Sequence, residues 1–597
     1  MAKKQPPITI LAALVSCAAL LAGGCSATTP TVTSLPGAVP TGLPSATPPA
    51  TTPPAPVITG VQLNATGVPR YEMLEMQVAL QAQYSNPYDL RQVSLDAVFT
   101  GPDGTKLAVP GFWDSRDSWR VRFTPSQTGV WNYQLVVKDA GGASRPAQGT
   151  FNVSASDLHG WLLPGKSVNP AYSGHYLVYQ DGTPFYGLGH ADAARIYSGG
   201  FDLNRGFGLF DQMKKAGENY VVWWPLYTNS PINNRYDQYS SPNMSIIDLV
   251  VKDAQKKGIF LVFTVWDHPE LRDSTHAWGP GNWTVNGFSK LGDLKSFFTS
   301  DEAWAWQQNF YRYIIARWGY SPAIGMWLTV SEINGTNAYD QTNPWHDKLN
   351  AYFQANDPYH HPTTASMSGD TDWPEGHALM DAPQVHVYDF KNGALSVDPV
   401  RAAQVIAGWT QLMWQRAEKP NWVGEFGVPG NNYYPELFHN AIWAGLASGA
   451  AMTPAEWNDG SSWGEMTPDM NADMGRLAGF VTDIPLAKLD PVALKIGSSD
   501  AQVRGWGVAG NDGGLFWVQD FSMEGHSMDD ILKDKTVRKG VQLQIQGLAA
   551  GTYLLHPYNT WQGKYLTAFQ VKCDGSAACQ VDLPAFHADM AFRLERK

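Results

Sequence analysis

The chain has 597 residues but only four cysteines. Cys17 and Cys25 lie near the start, so the body of the protein holds one pair, Cys573 and Cys579. That excludes a disulfide-framework fold and a zinc site closed by four thiolates. After the N-terminus no run approaches the ~20 apolar residues of a membrane span. Positive charge is in deficit: 42 Lys and Arg stand against 54 Asp and Glu, a net charge of −12. Nucleic acid wants a basic face, so it is not expected as a partner. The chain has no glycine-rich dinucleotide fingerprint and no phosphate-binding P-loop. No closed metal spacing occurs either. His190, Asp192 and His268 are the one set that could converge on an open metal site. The expectation is no metal and no cofactor.

What is present is a large globular chain, with 44% hydrophobic and 16% charged residues. Its length implies two to four domains. The aromatic share is 12%, including 24 Trp. Trp is costly to expose and is used where a flat face must bind something. Residues 1–25 read as a signal: Lys3 and Lys4, an apolar run from Ile8 to Ala22, small residues, then Cys25. LLAGGCS resembles a bacterial lipoprotein signal, in which the Cys becomes lipidated. Ala22 stands where that signal usually has Leu, and a plain secretory signal is the other reading. Both export the mature chain, as a cell-surface lipoprotein or a secreted protein. Residues 26–56, nearly all Pro, Thr, Ser, Ala and Gly, read as a semi-rigid spacer. In an oxidising compartment Cys573 and Cys579 are expected to close a small hairpin as a disulfide.

From 57 to 156 short alternating runs such as QVSLDAVFT and VWNYQLVVKD are split by turns such as GPDGT, which suggests a β-sandwich. There Trp113, Trp119 and Trp131 read as core or interface. From 157 to 491 strands and helices alternate, the signature of parallel α/β architecture. Eight candidate strands appear: 184–190, 219–224, 259–266, 325–330, 362–366, 384–389, 421–427 and 449–457. Eight such units fit one (β/α)8 TIM barrel with loop insertions. In the helical stretch SIIDLVVKDAQKKG, Ile246, Leu249, Val250 and Ala254 are expected on the buried face and Gly258 as the stop. From 492 to 597 short strands return, as a second small β-sandwich. The predicted fold class is therefore a TIM barrel flanked by two β-domains.

A barrel presents its chemistry at the C-terminal ends of its strands. Those ends supply His190 and Asp192, Trp223 and Trp224, Trp266, Asp267 and His268, Glu332, His386 and Tyr388, Glu425, and finally Trp457, Asn458 and Asp459. Glu332 and Glu425 stand out, each closing an apolar run (GMWLTVSE and NWVGE). From the fourth and seventh strands they would face each other across the cavity. Two carboxyls on one cavity, surrounded by Trp, are what glycoside hydrolysis requires. One protonates the leaving oxygen, while the other attacks the anomeric carbon or activates water. Trp278 and Trp283, in the loop HAWGPGNWTVNG, read as sugar platforms, because such a loop has no core of its own to fill. His386 and Tyr388 have a competing reading as hydrogen-bonded core residues. His190, Asp192 and His268 are divided between substrate contact and a strand-end polar network.

The run ARWGYSPAIGMWLTVSEING resembles the fourth-strand approach of clan A retaining glycoside hydrolases. It is most similar to family 5-like and β-mannanase-like enzymes. KPNWVGEFGV resembles their seventh strand and HVY at 386–388 their sixth. RFTPSQTGVWNY resembles the immunoglobulin-like domain ahead of some such barrels, and GTYLLHPYNTWQGK their C-terminal β-domain. The resemblance implies Glu332 as acid/base, Glu425 as nucleophile, Tyr388 as hydrogen-bond donor to it and His386 on the acid side. It implies Trp457 as the platform under the reacting sugar, and a polysaccharide or oligosaccharide substrate. Two positions depart from it. Ser331 stands where the family has Asn, a residue that holds the sugar 2-hydroxyl. Trp223-Trp224-Pro225 closes the second strand, where an Arg is usual after Asn219. An inactive carbohydrate-binding surface protein on the same barrel is the alternative, with Ser331 as its support, and a metal-dependent hydrolase using His190, Asp192 and His268 is the third reading.

Overall fold

The computed structural model describes residues 53–597 apart from 115–117, 192–202, 229, 231, 233, 276–279, 428–433, 458–466 and 576, and without the side chains of 203–207 and 227–228. The signal, Cys25, most of the spacer, Asp192, Trp278, Asn458 and Asp459 lie outside the described residues.

In the first hundred described residues two sheets form. One orders Val57–Leu63, Leu74–Gln81, Ser118–Phe123 and Phe112–Asp114. The other runs Gly67–Pro69, Ala147–Ser154, Gly129–Asp139, Val93–Thr100 and Lys106–Pro110. Alternation decides which side is buried: Val93, Leu95, Ala97 and Phe99 face inward. Phe99 and Phe123 stack at 3.8 Å between centroids. Trp131 is fully buried and Trp119 nearly so, while Trp113 packs at the margin.

Next come seven short strands: β1 (Gly189–Ala191), β2 (Tyr220–Trp223), β3 (Phe260–Thr264), β4 (Ile324–Leu328), β5 (Thr363–Thr364), β6 (Gln384–Val387) and β7 (Trp422–Phe426). β1 to β5 form one parallel sheet in sequence order, and β6 and β7 a parallel pair. Every residue of β2, β3, β4 and β7 is buried, as expected of parallel strands covered on both faces. The eighth expected strand is reduced to two parallel bridges, Met452 to Gly187 and Glu456 to Phe426. These link β7 back toward β1. Between β5 and β6 no ladder forms among the described residues; Gln384 Nε2 donates to Thr364 Oγ1 at 3.0 Å, and the amides of Asp381 and Ala382, just before β6, donate to the Thr363 carbonyl, each at 3.0 Å.

Helix α1 (Ser241–Lys257) ends where expected, with Gly258 at φ 70°. Its buried stripe differs from the expected one. Met244, Ile247, Val250, Val251 and Ala254 are buried, whereas Leu249 is 44% exposed. The helix is turned so that Asp248 meets two arginines. Arg122, from the first β region, lies 2.9 Å from Asp248 Oδ1, and Arg317, on helix α2 (Asp301–Trp318), lies 2.7 Å from Oδ2. Burial alone would raise this carboxyl, yet Arg122 and Arg317 hold it well below the usual range. The RWGYSP run therefore serves packing as well: Tyr320 lies in the core of the first β region. No helix of the described residues is long and apolar enough to cross a membrane.

The last hundred residues form a seven-stranded antiparallel sheet and a three-stranded one. Cys573 and Cys579 are disulfide-bonded. They do not close a hairpin. Cys573 ends a strand paired to Gly551–Asn559, and Cys579 begins one paired to Gln542–Gln546, so the bridge joins two sheets. Against this region stand helices α3 (Pro435–Ala447) and α4 (Pro468–Val481). There His439 lies between Asp473 and Asp589, at 2.9 and 3.2 Å.

Candidate active site

Glu332 follows β4 with φ 52°, in the left-handed region that a residue with a Cβ seldom enters. Such a backbone costs about 1–3 kcal/mol and persists only where its surroundings fix it. Here Glu332 N donates to Ser366 Oγ at 3.0 Å, and the turn Ile333–Gly335 follows directly. The twist carries the carboxylate toward the end of β6. Its Oε1 lies 2.8 Å from His386 Nδ1. Its Oε2 lies 3.3 Å from His268 Nε2.

Glu425, on β7, is paired in register with His386 on β6. Its Oε2 accepts from the Tyr388 hydroxyl at 2.8 Å and lies 3.1 Å from the same His386 Nδ1. One nitrogen thus serves both acids, and the facing oxygens lie within 4.8 Å of each other. With acceptors on two sides, Nδ1 carries a proton. A cation gripped by Glu332, His386 and Glu425 would have to displace it. Burial works against a charged His386, but Glu425 and the hydrogen bond to Glu332 outweigh it and push the imidazole up to about 10. Burial, reinforced by Glu425, raises Glu332 above the usual carboxyl range in spite of His386 and Arg272. Burial and the two carboxylates push the Tyr388 phenol well up, so it stays a donor.

Beside this trio, Trp224 and Trp457 meet edge to face at 5.1 Å between centroids. Trp457 N donates to Phe426 O at 2.7 Å. Gly427 permits the approach: a Cβ there would sit 2.3 Å from Trp457 O and 3.6 Å from the Tyr388 ring. Ser331 is buried, with its amide on Trp266 O at 2.9 Å.

The structure therefore brings together Glu332, Glu425, His386, Tyr388 and His268, with Trp457 and Trp224 adjoining. Others it places elsewhere. Trp223 is buried against Phe263, on the side of β2 that faces the helices. Trp266 is buried among Phe288, Phe297 and Phe310, its indole donating to Tyr311 on α2. Trp283 is 6% exposed and packs on Phe297: the loop does have a small core, which was not visible in its Gly, Trp and Asn content. His190 is fully buried, 2.6 Å from Glu218. It pairs in register with Val221, and Asp192, its partner in the expected open metal set, lies outside the described residues.

Three further residues belong to the site; the sequence marks Asp267 only as a strand-end residue, and Asp370 and Arg272 have no sequence signal of their own. Asp267 caps the turn His268–Leu271 and, through burial and then Glu332 and Glu425, is held well above the usual range. Asp370 accepts from the amides of Tyr388 and Asp389, both at 2.9 Å, and so fixes the end of β6. Arg272 is buried, with Nη2 2.6 Å from His268 Nδ1. Only the nearness of Arg272 to His268 in sequence could have marked it.

The family model of a domain of unknown function, DUF5060, matches residues 67–138. A search of curated proteins finds no match. The structural neighbours are glycoside hydrolases. A protein of Bacteroides vulgatus, provisionally described as a glycoside hydrolase, is 18% identical with a TM-score of 0.63 and covers 89% of this chain and 100% of its own. A family 5 glycoside hydrolase of the same organism is 14% identical, TM-score 0.46, over 73% of this chain and 94% of its own. An endo-1,4-β-mannanase of Rhizomucor miehei is 16% identical, TM-score 0.38, over 51% and 98%. The first likeness shows a shared fold over nearly the whole chain. The other two are too distant to carry weight.

Proposed function

We propose that this protein is an exported retaining glycoside hydrolase, built as a (β/α)8 barrel between two β-domains and acting on a polysaccharide or its oligosaccharides. Exported lipoprotein anchoring through Cys25 belongs to the same reading and rests on the N-terminal sequence. The observation that carries the activity is the shared nitrogen: two carboxylates, one following β4 and one on β7, within 4.8 Å oxygen to oxygen, on His386 Nδ1. Retaining enzymes hold their carboxyls about 5–5.5 Å apart, whereas inverting ones leave room for water at about 6.5–9.5 Å.

The roles follow from surroundings. Burial and the Glu425 charge favour the protonated form of Glu332, which suits it to donate a proton to the leaving oxygen. Glu425 is oriented by Tyr388 and His386 for attack on the anomeric carbon. When the glycosyl–Glu425 bond forms, the bond to the leaving oxygen breaks and that oxygen takes the Glu332 proton. Glu332, now ionised, removes a proton from the water that releases the sugar. The paired Trp224 and Trp457 offer an aromatic wall for the apolar face of a sugar. Ser331, shorter than Asn, favours one second reading, a carbohydrate-binding protein without turnover.

Aryl glycosides and a polysaccharide panel, with sizing of products, test the proposal. Glu425→Ala and Glu332→Gln should abolish turnover while leaving the fold intact. Binding of a polysaccharide by a wild-type protein that turns over no substrate on the panel would decide for the second reading.

A further inference from the structure

We propose that Arg272 is a positioning residue of the active site: it locks His268 in the tautomer whose Nε2 proton points at Glu332. The inference rests on the reading of Glu332 as the acid/base and extends it to a residue outside the two catalytic strands.

The argument is one of donors and acceptors. Arg272 Nη2 lies 2.6 Å from His268 Nδ1. A guanidinium can only donate, so Nδ1 must accept, and the ring's single proton is on Nε2. That nitrogen lies 3.3 Å from Glu332 Oε2 and 3.9 Å from Asp267 Oδ1. A second proton on the ring would point at the guanidinium, so Arg272 also keeps His268 neutral. The result is a directed chain, Arg272 to His268 to Glu332, that ends on the oxygen not used by His386. Glu332 therefore has His386 hydrogen-bonded to one oxygen and His268 Nε2 within ion-pair range of the other.

Arg272 is fixed in place to a degree that a substrate-chasing surface arginine is not. Its carbonyl accepts from Trp283 N at 2.9 Å. Gly281 crosses it so closely that a Cβ there would lie 2.1 Å from the Arg272 oxygen. The turn His268–Leu271 is stitched to the turn after Glu332. Thr336 Oγ1 donates to Leu271 O, and the amides of Asp273 and Ser274 both donate to Asn337 Oδ1, at 3.1 and 3.2 Å. The two turns that carry His268 and Glu332 are thus tied to each other by three hydrogen bonds. The groups facing Glu332 are thus His386, Glu425, His268 and, behind it, Arg272, with Asp267 on the near side.

The chemical consequence is a restraint on the acid. Burial and Glu425 raise Glu332, and His386 and the Arg272 charge oppose them. Without that opposition Glu332 would hold its proton too tightly to return as a base in the second half-reaction.

Two measurements on the full chain test this. In protein labelled with 15N-histidine at pH 7, the His268 ring, assigned by its loss in His268→Asn, should show the Nε2–H tautomer alone. In Arg272→Met it should show a mixture, and in Arg272→Lys, which keeps a donor, the Nε2–H form should largely return. An Nδ1–H ring in the wild type overturns the proposal, as does an unchanged ring in Arg272→Met. The second measurement is kcat/KM against pH on a 4-nitrophenyl glycoside turned over by the wild type. The alkaline limb should move up by about half a pH unit or more in Arg272→Met, since a favourable charge has been removed from an acid. A profile merely scaled down, with its limbs in place, means a structural role only. If Glu332→Gln keeps wild-type turnover, the acid/base reading fails by itself, and the tautomer result still stands or falls on its own.

Discussion

His386 and His439 are both buried, and each stands between two carboxylates. They differ in how the partners are supplied. His439 spends one nitrogen on Asp473 and the other on Asp589. Asp589 also accepts from Trp517, Trp561 and Thr560. Burial would raise this carboxyl, but His439 and those donors hold it below the usual range. His386 turns a single nitrogen to both of its acids, and Glu332 stays above the usual range. A saturated triad has nothing left to do but hold α3 and α4 against the C-terminal sheet. The two triads differ in how one ring serves two carboxylates, through two nitrogens at His439 and through one at His386; burial does not separate them, since both are buried.

The comparison predicts that damage to the two clusters is read by different instruments. Glu425→Ala should lower kcat by about 10,000-fold or more, since it deletes the proposed nucleophile. Its melting temperature should stay closer to that of the wild type than its rate does, because side chains placed for chemistry are rarely placed for stability. Thermal melts and initial rates on the same preparation check both halves. Loss of folding together with rate would erase the distinction.

Asp589→Ala should do the reverse. Removing one member of a buried, hydrogen-bonded ion triad costs about 3–5 kcal/mol. Denaturant unfolding should show that loss while kcat of the remaining folded enzyme stays close to wild type. A variant as stable as the parent would mean that the triad contributes nothing to the packing of the C-terminal sheet.

Tyr388→Phe keeps the ring and deletes one hydrogen bond to Glu425, so kcat should fall about 100-fold with little change in stability. The pH dependence of stability comes next in size. His439 is pushed up to about 9 from its ordinary value, so its contribution is complete at pH 6 and is lost as pH rises through about 9. Melting temperature should drop by about 3–5 °C between pH 7.5 and 10. Asp473→Asn should flatten that part of the curve, whereas His386→Gln should leave it in place only if His439 is its main source. The smallest effect is expected of Trp457→Ala. Its half-exposed ring should cost about tenfold in KM, by loss of sugar stacking, with kcat less affected.

Much of this was legible in the chain itself. Glu332 and Glu425 each close a run of apolar residues, and a carboxylate at such a position is conspicuous because nothing in the run needs it. The parallel strands were legible for the same reason: residues buried on both faces read as unbroken apolar segments. The tryptophans were not legible. Trp223 and Trp224 are neighbours in sequence, yet one lies in the helix layer and the other meets Trp457. Strand alternation separates them, and its phase is set by the neighbouring strands, not by the pair. Trp283 misled because its loop encloses Phe297, a residue 14 positions away in sequence. Helix α1 was legible as a helix but not in its rotation, since Asp248 answers to arginines from two distant segments.

By itself the sequence determined which residue types could do the chemistry and on which segments they ride. Hydrophobic period and the types of side chain are local properties, and they survive without coordinates. Tertiary structure decided which of those side chains share a proton. That depends on the register of β6 against β7, on a left-handed backbone at Glu332 and on Arg272 reaching His268. Each is a distance between segments far apart in the chain. Hydrogen bonding and charge coupling fall off within a few ångströms, so whether they act is settled only once the chain has folded.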